Sequence, residues 1–231
     1  MDFSSLSVGG SCLKLPELSC CFRQRETQPP GLGLEFYEGA IRLPESSAPN
    51  TKNVSHTITA DLNLTDADGV QGVILANRAI TGGYMLYVNL DHHLVYEYNY
   101  FDTERTVLTS PDPLGDGKVE VKFTFVYDGN DACEAGIGCG GTANLYVNGE
   151  DTVDSKRIEK TVPARFGIET QDVGIDLMSP TSNDKDYDPP FEFTGGTIEK
   201  VTIELSPSSP EPDEEMGQQE FWDKIIQEVI R

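Results

Sequence analysis

The run K-V-E-V-K-F-T-F-V-Y at positions 118–127 alternates between polar and apolar residues. Successive side chains of an extended strand point to opposite faces, so one face of this run is apolar and the other is polar. A helix, with its period of about 3.6 residues, cannot gather these apolar side chains on one side. The run therefore predicts a strand with one buried face, formed by Val119, Val121, Phe123 and Phe125.

Similar short runs recur between residues 34 and 205, and turn residues separate them. Asn148-Gly149 favours a tight hairpin turn, because both residue types tolerate positive φ. The region has no good helical period. We expect an all-β fold: a two-sheet antiparallel β-sandwich of the jelly-roll or concanavalin-lectin-like kind. Further strands are expected at 56–64, 72–76, 84–89, 94–100, 142–153 and 196–205.

The segments on either side of this region differ in composition. Residues 1–33 are rich in Ser, Gly and Pro and predict a disordered leader. Residues 206–213 predict a stiff acidic linker, and 214–231 an amphipathic C-terminal helix. The helix has an apolar stripe containing Phe221, Ile225 and Val229. That stripe docks on the sandwich or contacts another protein, and the sequence does not decide between the two.

The charge balance limits the partners. Lys plus Arg number 17 and Asp plus Glu 39, which gives a formal net charge of −22. Such a surface repels phosphate backbones and anionic lipid, so neither nucleic acid nor a membrane surface is an expected partner. No signal peptide or membrane span is evident, so we expect a soluble chain whose compartment stays open.

The cysteines and histidines do not form a recognisable metal site. Cys133 and Cys139 flank a Gly-rich loop, where they either close a small disulfide ring or remain reduced thiols. His92 and His93 occupy a predicted hairpin turn, and His56 opens a strand as a surface or edge residue. A zinc site needs about four ligands at set spacings, and none is apparent.

Acidic and aromatic residues suggest two weak candidate sites. Asp172, Asp176 and Asp184 lie in an acidic stretch whose oxygen atoms suit Ca²⁺, although a solvated loop is the simpler interpretation and no cofactor is expected. Tyr96, Tyr98 and Tyr100 share one face of a strand and would form a stacking platform for sugars if that face is exposed. Burial of these rings between the sheets would rule the platform out.

Catalytic motifs are absent from the sequence. There is no G-x-S-x-G, H-E-x-x-H or phosphate-binding loop. A sandwich glycosidase needs two carboxylates facing across a groove. Glu97 and Glu120 are the candidate carboxylates, but Glu120 lies on a polar face. A jelly-roll glycosidase is therefore the least favoured of the hypotheses.

A series of stretches, taken in order, resembles the C-terminal region of bacterial arylsulfatases. The resemblance spans about residues 34–205, and no single stretch in it is a catalytic motif. The stretches include G-G-Y-M-L-Y-V at 82–88, Y-N-Y-F-D-T-E-R at 98–105, F-T-F-V-Y-D-G at 123–129, T-V-P-A-R-F-G-I-E-T-Q-D-V-G-I-D at 161–176 and P-F-E-F-T-G-G-T-I-E-K-V-T-I-E-L at 190–205.

The resemblance implies a non-catalytic accessory sandwich. Sulfatases of that family use a formylglycine made within C/S-x-P-x-R, next to a divalent cation, and this chain has neither the motif nor the metal-binding core. The leading hypothesis is thus an accessory domain that comes from, or assembles with, a separate sulfatase catalytic chain, and it is not expected to be an enzyme by itself. The alternative is a stand-alone carbohydrate-binding module of the lectin kind.

Overall fold

The protein folds into two antiparallel β-sheets packed face to face, which confirms the predicted fold class. In the computed structural model we describe residues 33–79, 82–164, 170–177 and 190–206. The strands of this part are β1 Leu34–Phe36, β2 Leu43–Pro44, β3 His56–Leu64, β4 Gly72–Ala79, β5 Gly82–Val88, β6 His93–Tyr100, β7 Glu104–Pro113, β8 Gly117–Tyr127, β9 Cys139–Val147, β10 Glu150–Asp151, β11 Lys156–Lys160, β12 Thr170–Val173 and β13 Gly196–Leu205.

Three short 3-10 helices lie among these strands. They span Glu45–Ser47, Ala67–Gly69 and Asn130–Ala132. Within the described residues, no helix is long and apolar enough to cross a membrane. The predicted C-terminal helix at 214–231 lies outside the described residues.

The larger sheet has the order β1-β13-β3-β8-β9-β10, with β11 also paired to β9. Its centre is the pair β3 and β8, which stay in register from His56↔Phe125 to Leu64↔Gly117. Every second residue of β3 is buried. The predicted inward face of β8 is also buried, because its four apolar side chains pack between the sheets.

The smaller sheet has the order β2-β12-β4-β5-β6-β7. Four of these strands, β4 to β7, follow one another along the chain as an antiparallel meander. The strand β12 then closes the other side by pairing with β4 and β2. Both faces of this sheet carry buried residues, because Met85 and Tyr87 belong to a second apolar cluster with Phe191 on the outer side.

The two inner faces form the main core. Tyr96 from the smaller sheet stacks on Phe123 from the larger one, with ring centroids 3.5 Å apart and planes 10° from parallel. Leu86, Leu108 and Leu145 are among the fully buried side chains around this pair. Apolar area removed from water contributes about 25 cal/mol per Å², so this interface supplies most of the stabilisation of the fold.

The hairpin turn at Asn148-Gly149 forms as predicted. The two residues have φ of 51° and 80° and connect β9 to β10. A second turn of the same geometry joins β6 to β7 through Phe101 and Asp102, with φ of 49° and 57°. Phenylalanine rarely adopts positive φ. Here a hydrogen bond stabilises the turn, because the N–H of Asp102 donates to Asn99 Oδ1 at 2.9 Å.

Cys133 and Cys139 are joined by a disulfide, with Cα atoms 5.5 Å apart. The bond closes the short loop that leads into β9. Of the two alternatives left open by the sequence, the structure has the oxidised ring.

Candidate functional site

A pocket opens between the two sheets at the end where β3 begins and β8 ends. The space inside it that a water-sized group can occupy is about 20 Å³, enough for about one water molecule, so the pocket is narrow. The polar residues in its wall include Thr51, Lys52, His56, Asn77, Tyr84 and Tyr98. The apolar part of the wall includes Phe125 and Val162.

Strand register brings most of these side chains together. Tyr84 on β5 lies opposite Asn77 on β4 and opposite Tyr98 on β6, so the three side chains share the inner face. His56, the first residue of β3, faces them from the larger sheet beside Phe125. The pocket is thus a polar end of an otherwise apolar core.

His56 has one ring nitrogen in use and one without a partner. Its Nδ1 lies 3.0 Å from the carbonyl oxygen of Val54. Its Nε2 is buried and has no hydrogen-bonding partner among the described residues. Burial disfavours the imidazolium and lowers the pKa of His56 to about 4, so the ring is neutral at physiological pH. The ring is 6% exposed, so the expectation of a surface or edge histidine was wrong, because β3 is an inner strand.

Tyr84 supplies the second unpartnered group. Its hydroxyl is buried and makes no hydrogen bond of good geometry within the described part of the chain. Burial raises the pKa of Tyr84 to about 12, and the neighbouring polar groups of Thr51 and Asn77 oppose this rise only in part. Gln171, which accepts a hydrogen bond from Asn77 Nδ2 at 3.3 Å, also leaves its own amide nitrogen without a partner. Buried polar groups without partners are rare and point to water or a ligand.

The side of the pocket near the disulfide is fixed by Asn53. Its side-chain nitrogen donates to the carbonyl oxygen of Pro163 at 2.6 Å, and its side-chain oxygen accepts from the N–H of Gly138 at 2.9 Å. Val162 then donates its N–H to the hydroxyl of Tyr98 at 2.7 Å. We call these contacts the Asn53 clamp, because they join the disulfide loop to two sides of the pocket wall.

The predicted stacking platform is contradicted by the structure. Tyr96, Tyr98 and Tyr100 do share one face, but they are 1%, 9% and 7% exposed and belong to the core between the sheets. Their rings pack because the face that carries them is the inner face of the smaller sheet. Tyr96 and Tyr98 line the pocket instead, so they retain a place in the candidate site without offering an open surface.

Two of the three acidic candidates, Asp172 and Asp176, lie within the described residues. Asp172 is buried and accepts a hydrogen bond from the N–H of Arg42 at 2.5 Å. Asp176 is also buried, and its backbone pairs with that of Phe191, while Asp184 lies outside the described residues. Among the described residues, no three His, Cys, Asp or Glu side chains are grouped so that they would hold a metal ion.

The carboxylates considered for a glycosidase lie apart. Glu97 is buried in β6 and accepts a hydrogen bond from Arg105 Nη1 at 2.7 Å, while Arg105 Nη2 also donates to Asp102. Glu120 is exposed on β8 of the other sheet. His92 and His93 lie at the β5–β6 turn, and their Nδ1 atoms contact different backbone carbonyls, those of Val70 and Ser110.

Sequence reasoning missed the pocket because it treated each strand separately. The signal was present as polar residues in apolar runs: Asn77 follows V-I-L-A, and His56 is the first residue of a strand with a buried face. Only the packing of one sheet on the other shows that these two residues line the same pocket.

Comparison with known proteins gives similar folds and no family. No protein-family model matches the chain, and no curated protein matches it. A leech intramolecular trans-sialidase is 16% identical, with a TM-score of 0.49 over 82% of this chain and 28% of that one. The CBM40 of the Ruminococcus gnavus IT-sialidase, bound to α2,3-sialyllactose, is 17% identical with a TM-score of 0.45 over 77% and 91%.

A third similar structure is the galectin LEC-6 of Caenorhabditis elegans, at 12% identity and a TM-score of 0.38 over 73% of this chain and 94% of that one. These scores all lie below 0.5, so the account of the fold rests on the chain's own strands and register. The relationship to arylsulfatases is not tested by these comparisons and stays a prediction.

Proposed function

We propose that this chain is a carbohydrate-binding module of the lectin kind, and that the pocket between its sheets receives one hydroxylated end of a saccharide. The observation that carries the proposal is the pair of buried, unpartnered polar atoms in one pocket, His56 Nε2 and the hydroxyl of Tyr84. A sugar hydroxyl donates and accepts hydrogen bonds at once, and this pair needs both.

The walls of the pocket suit the same class of ligand. Tyr84, Tyr98 and Phe125 are buried, so their rings form the apolar part of the wall and not an open stacking surface, while Asn77 and Thr51 add further polar groups. Small-ligand sites are mostly apolar with a few well-placed polar groups. The space inside the pocket admits only a group about the size of a hydroxyl or a water molecule, so the rest of the ligand lies outside the mouth.

Binding is favoured over catalysis because of what the wall contains. The described residues that line the pocket include no carboxylate and no thiol. His56 is a weak base, because its pKa is lowered to about 4. General acid–base catalysis works best when the pKa of the group lies near the working pH.

The test is a titration of the full chain with mono- and disaccharides, followed by NMR chemical shifts and calorimetry. We expect weak, saturable binding that shifts the signals of His56 and Tyr84. Changing Tyr84→Phe removes only the hydroxyl and should reduce affinity roughly tenfold, since one hydrogen bond to a buried group is lost.

Tyr146→Phe is the matched control. Tyr146 lies in β9, with the ammonium of Lys122 over its ring, and is not part of the pocket wall. Removing the hydroxyl of Tyr146 should leave the affinity for the saccharide unchanged. No binding by any saccharide, or equal loss in both variants, would contradict the proposal.

A further inference from the structure

The contacts of His56 determine which of its ring nitrogens is a donor and which is an acceptor. The Val54 carbonyl oxygen next to His56 Nδ1 can only accept a hydrogen bond, so Nδ1 carries the proton of the neutral ring. Nε2 then presents a bare lone pair to the pocket. Whatever group lies opposite Nε2 must therefore be a donor.

The pocket also has no free charge to offer. The charged residue in its described wall is Lys52, and its ammonium group forms an ion pair with Glu45. An entering carboxylate would meet the Nε2 lone pair, and an entering ammonium would find no carboxylate in the described wall. Burying an unpaired charge is strongly unfavourable, so both kinds of ligand group are disfavoured.

We infer that the pocket selects an uncharged hydroxyl of a neutral saccharide and discriminates against the carboxylate of acidic sugars and the ammonium of amino sugars. This inference rests on the proposed function and names the ligand class of the same site. One ligand hydroxyl donates to His56 Nε2 and accepts from the hydroxyl of Tyr84. The ring centroids of His56 and Tyr84 are 6.1 Å apart.

The experiment compares sugars that differ at one group. The full chain is titrated with galactose, galacturonate and galactosamine, and with glucose, glucuronate and glucosamine, at a pH where the acids and amines are charged. In whichever of the two series has the tighter-binding neutral sugar, the uronate and the amino sugar should each bind about tenfold more weakly than that neutral sugar. A loss of this size is expected when a buried polar group loses its partner. The neutral sugar, and not its charged relatives, should lose affinity in Tyr84→Phe.

A spectroscopic measurement reports directly on His56. The ¹⁵N shifts of its imidazole should show a proton on Nδ1 and none on Nε2, both free and with the neutral sugar bound. Tyr146→Phe again serves as the control that keeps the pocket intact.

The outcomes separate this inference from the proposed function. If a charged sugar binds as tightly as its neutral relative and Tyr84→Phe weakens both, the module binds carbohydrate but the inference is wrong. A proton found on Nε2 overturns it as well. If no saccharide of any charge binds, the proposed function fails and the inference fails with it.

Discussion

At the scale of single residues, the most unusual group is a histidine held neutral in the core. The ordinary pKa of 6.5 for histidine falls to about 4 for His56, because the ring is buried, and its hydrogen bond with the Val54 carbonyl opposes this fall only in part. The charged residue nearest to it in the pocket wall, Lys52, is paired with Glu45. The described part of the pocket wall therefore holds no carboxylate that would stabilise the imidazolium.

This lowered pKa predicts a loss of stability in mild acid. The unfolded chain takes up a proton near pH 6.5 and the folded chain only near pH 4, so the free energy of unfolding falls as the pH drops through that window. The contribution of His56 should fall by about 2 kcal/mol between roughly pH 7.5 and pH 5.

Urea unfolding of the wild type and of His56→Gln at both pH values measures this effect. Other titrating groups act on both proteins, so the difference between the two isolates His56. A difference that does not change with pH would contradict the buried, neutral state of the ring.

A second feature at this scale is a pair of ion pairs that stabilises the turn after β6. Arg105 joins Glu97, which is buried, to Asp102, which lies in the turn with positive φ. The sequence showed that these charged residues are close along the chain, but not that Arg105 reaches back across the hairpin. Register between β6 and β7 decides that contact, because Asn99 lies opposite Arg105 and Glu97 is its neighbour on the same face.

At the scale of elements, strands with one buried face could be predicted and edge strands could not. The bounds of β3 and β13 match the expected 56–64 and 196–205, because alternation is strong when a strand is central in a sheet. The strand β7 was missed, since it contains Pro111 and Pro113. Proline is tolerated there because, among the described strands, β7 lies at the edge of the smaller sheet and pairs only with β6.

The candidate site could be predicted only in part, for a related reason. Period-two reasoning placed Tyr96, Tyr98 and Tyr100 on one face correctly, but a strand buried on both faces does not reveal which face is inside. The outer face of β6 is covered too, since Val95 lies in the apolar cluster around Phe191. Glu97 and Asn99 on that outer face are polar and yet buried, so the polarity of the residues along β6 does not reveal which face is open to solvent.

The disulfide loop gives an element-scale prediction. The bond between Cys133 and Cys139 closes a ring with a sequence separation of six, and the chain-entropy model assigns such a ring about 2 kcal/mol of stability. The double variant Cys133→Ser/Cys139→Ser should lose about that much, because its unfolded chain is less constrained. Thermal and urea unfolding, with and without a reducing agent, provide the measurement.

The control for this experiment is the double variant itself. A reducing agent should destabilise the wild type and leave the variant unchanged. Gly138 would also be less firmly held against Asn53 in the reduced protein, so signals of the Asn53 clamp should broaden in NMR spectra. Equal stability of the oxidised wild type and the variant would show that the ring contributes nothing.

At the scale of the whole molecule, the excess of negative charge is the dominant property. A formal charge of −22 on 231 residues favours expansion, because like charges repel more strongly in the compact state. Sodium chloride shortens the screening length from about 30 Å at ~0.01 M to about 10 Å at ~0.1 M, so the Tm should rise by a few degrees over this range. Scanning calorimetry at the two salt concentrations tests this, and a constant or falling Tm would contradict it.

The arylsulfatase relationship also belongs to this scale and stays a prediction. The first described strand begins at Leu34 and the last ends at Leu205. If the module assembles with a separate catalytic chain, turnover of a chromogenic aryl sulfate should require both. The purified chain alone should show none.

The pairing of β1 with β13 has a consequence for how the module is connected to other protein. Leu34 lies opposite Ile203, so the chain enters and leaves the sandwich at neighbouring points of one edge. A short peptide joining Ser206 to Gly33 would close the backbone with little strain, and new ends would be tolerated at the exposed Asn148-Gly149 turn. The sandwich is therefore suited to circular permutation and to insertion as a unit into a loop of a host protein.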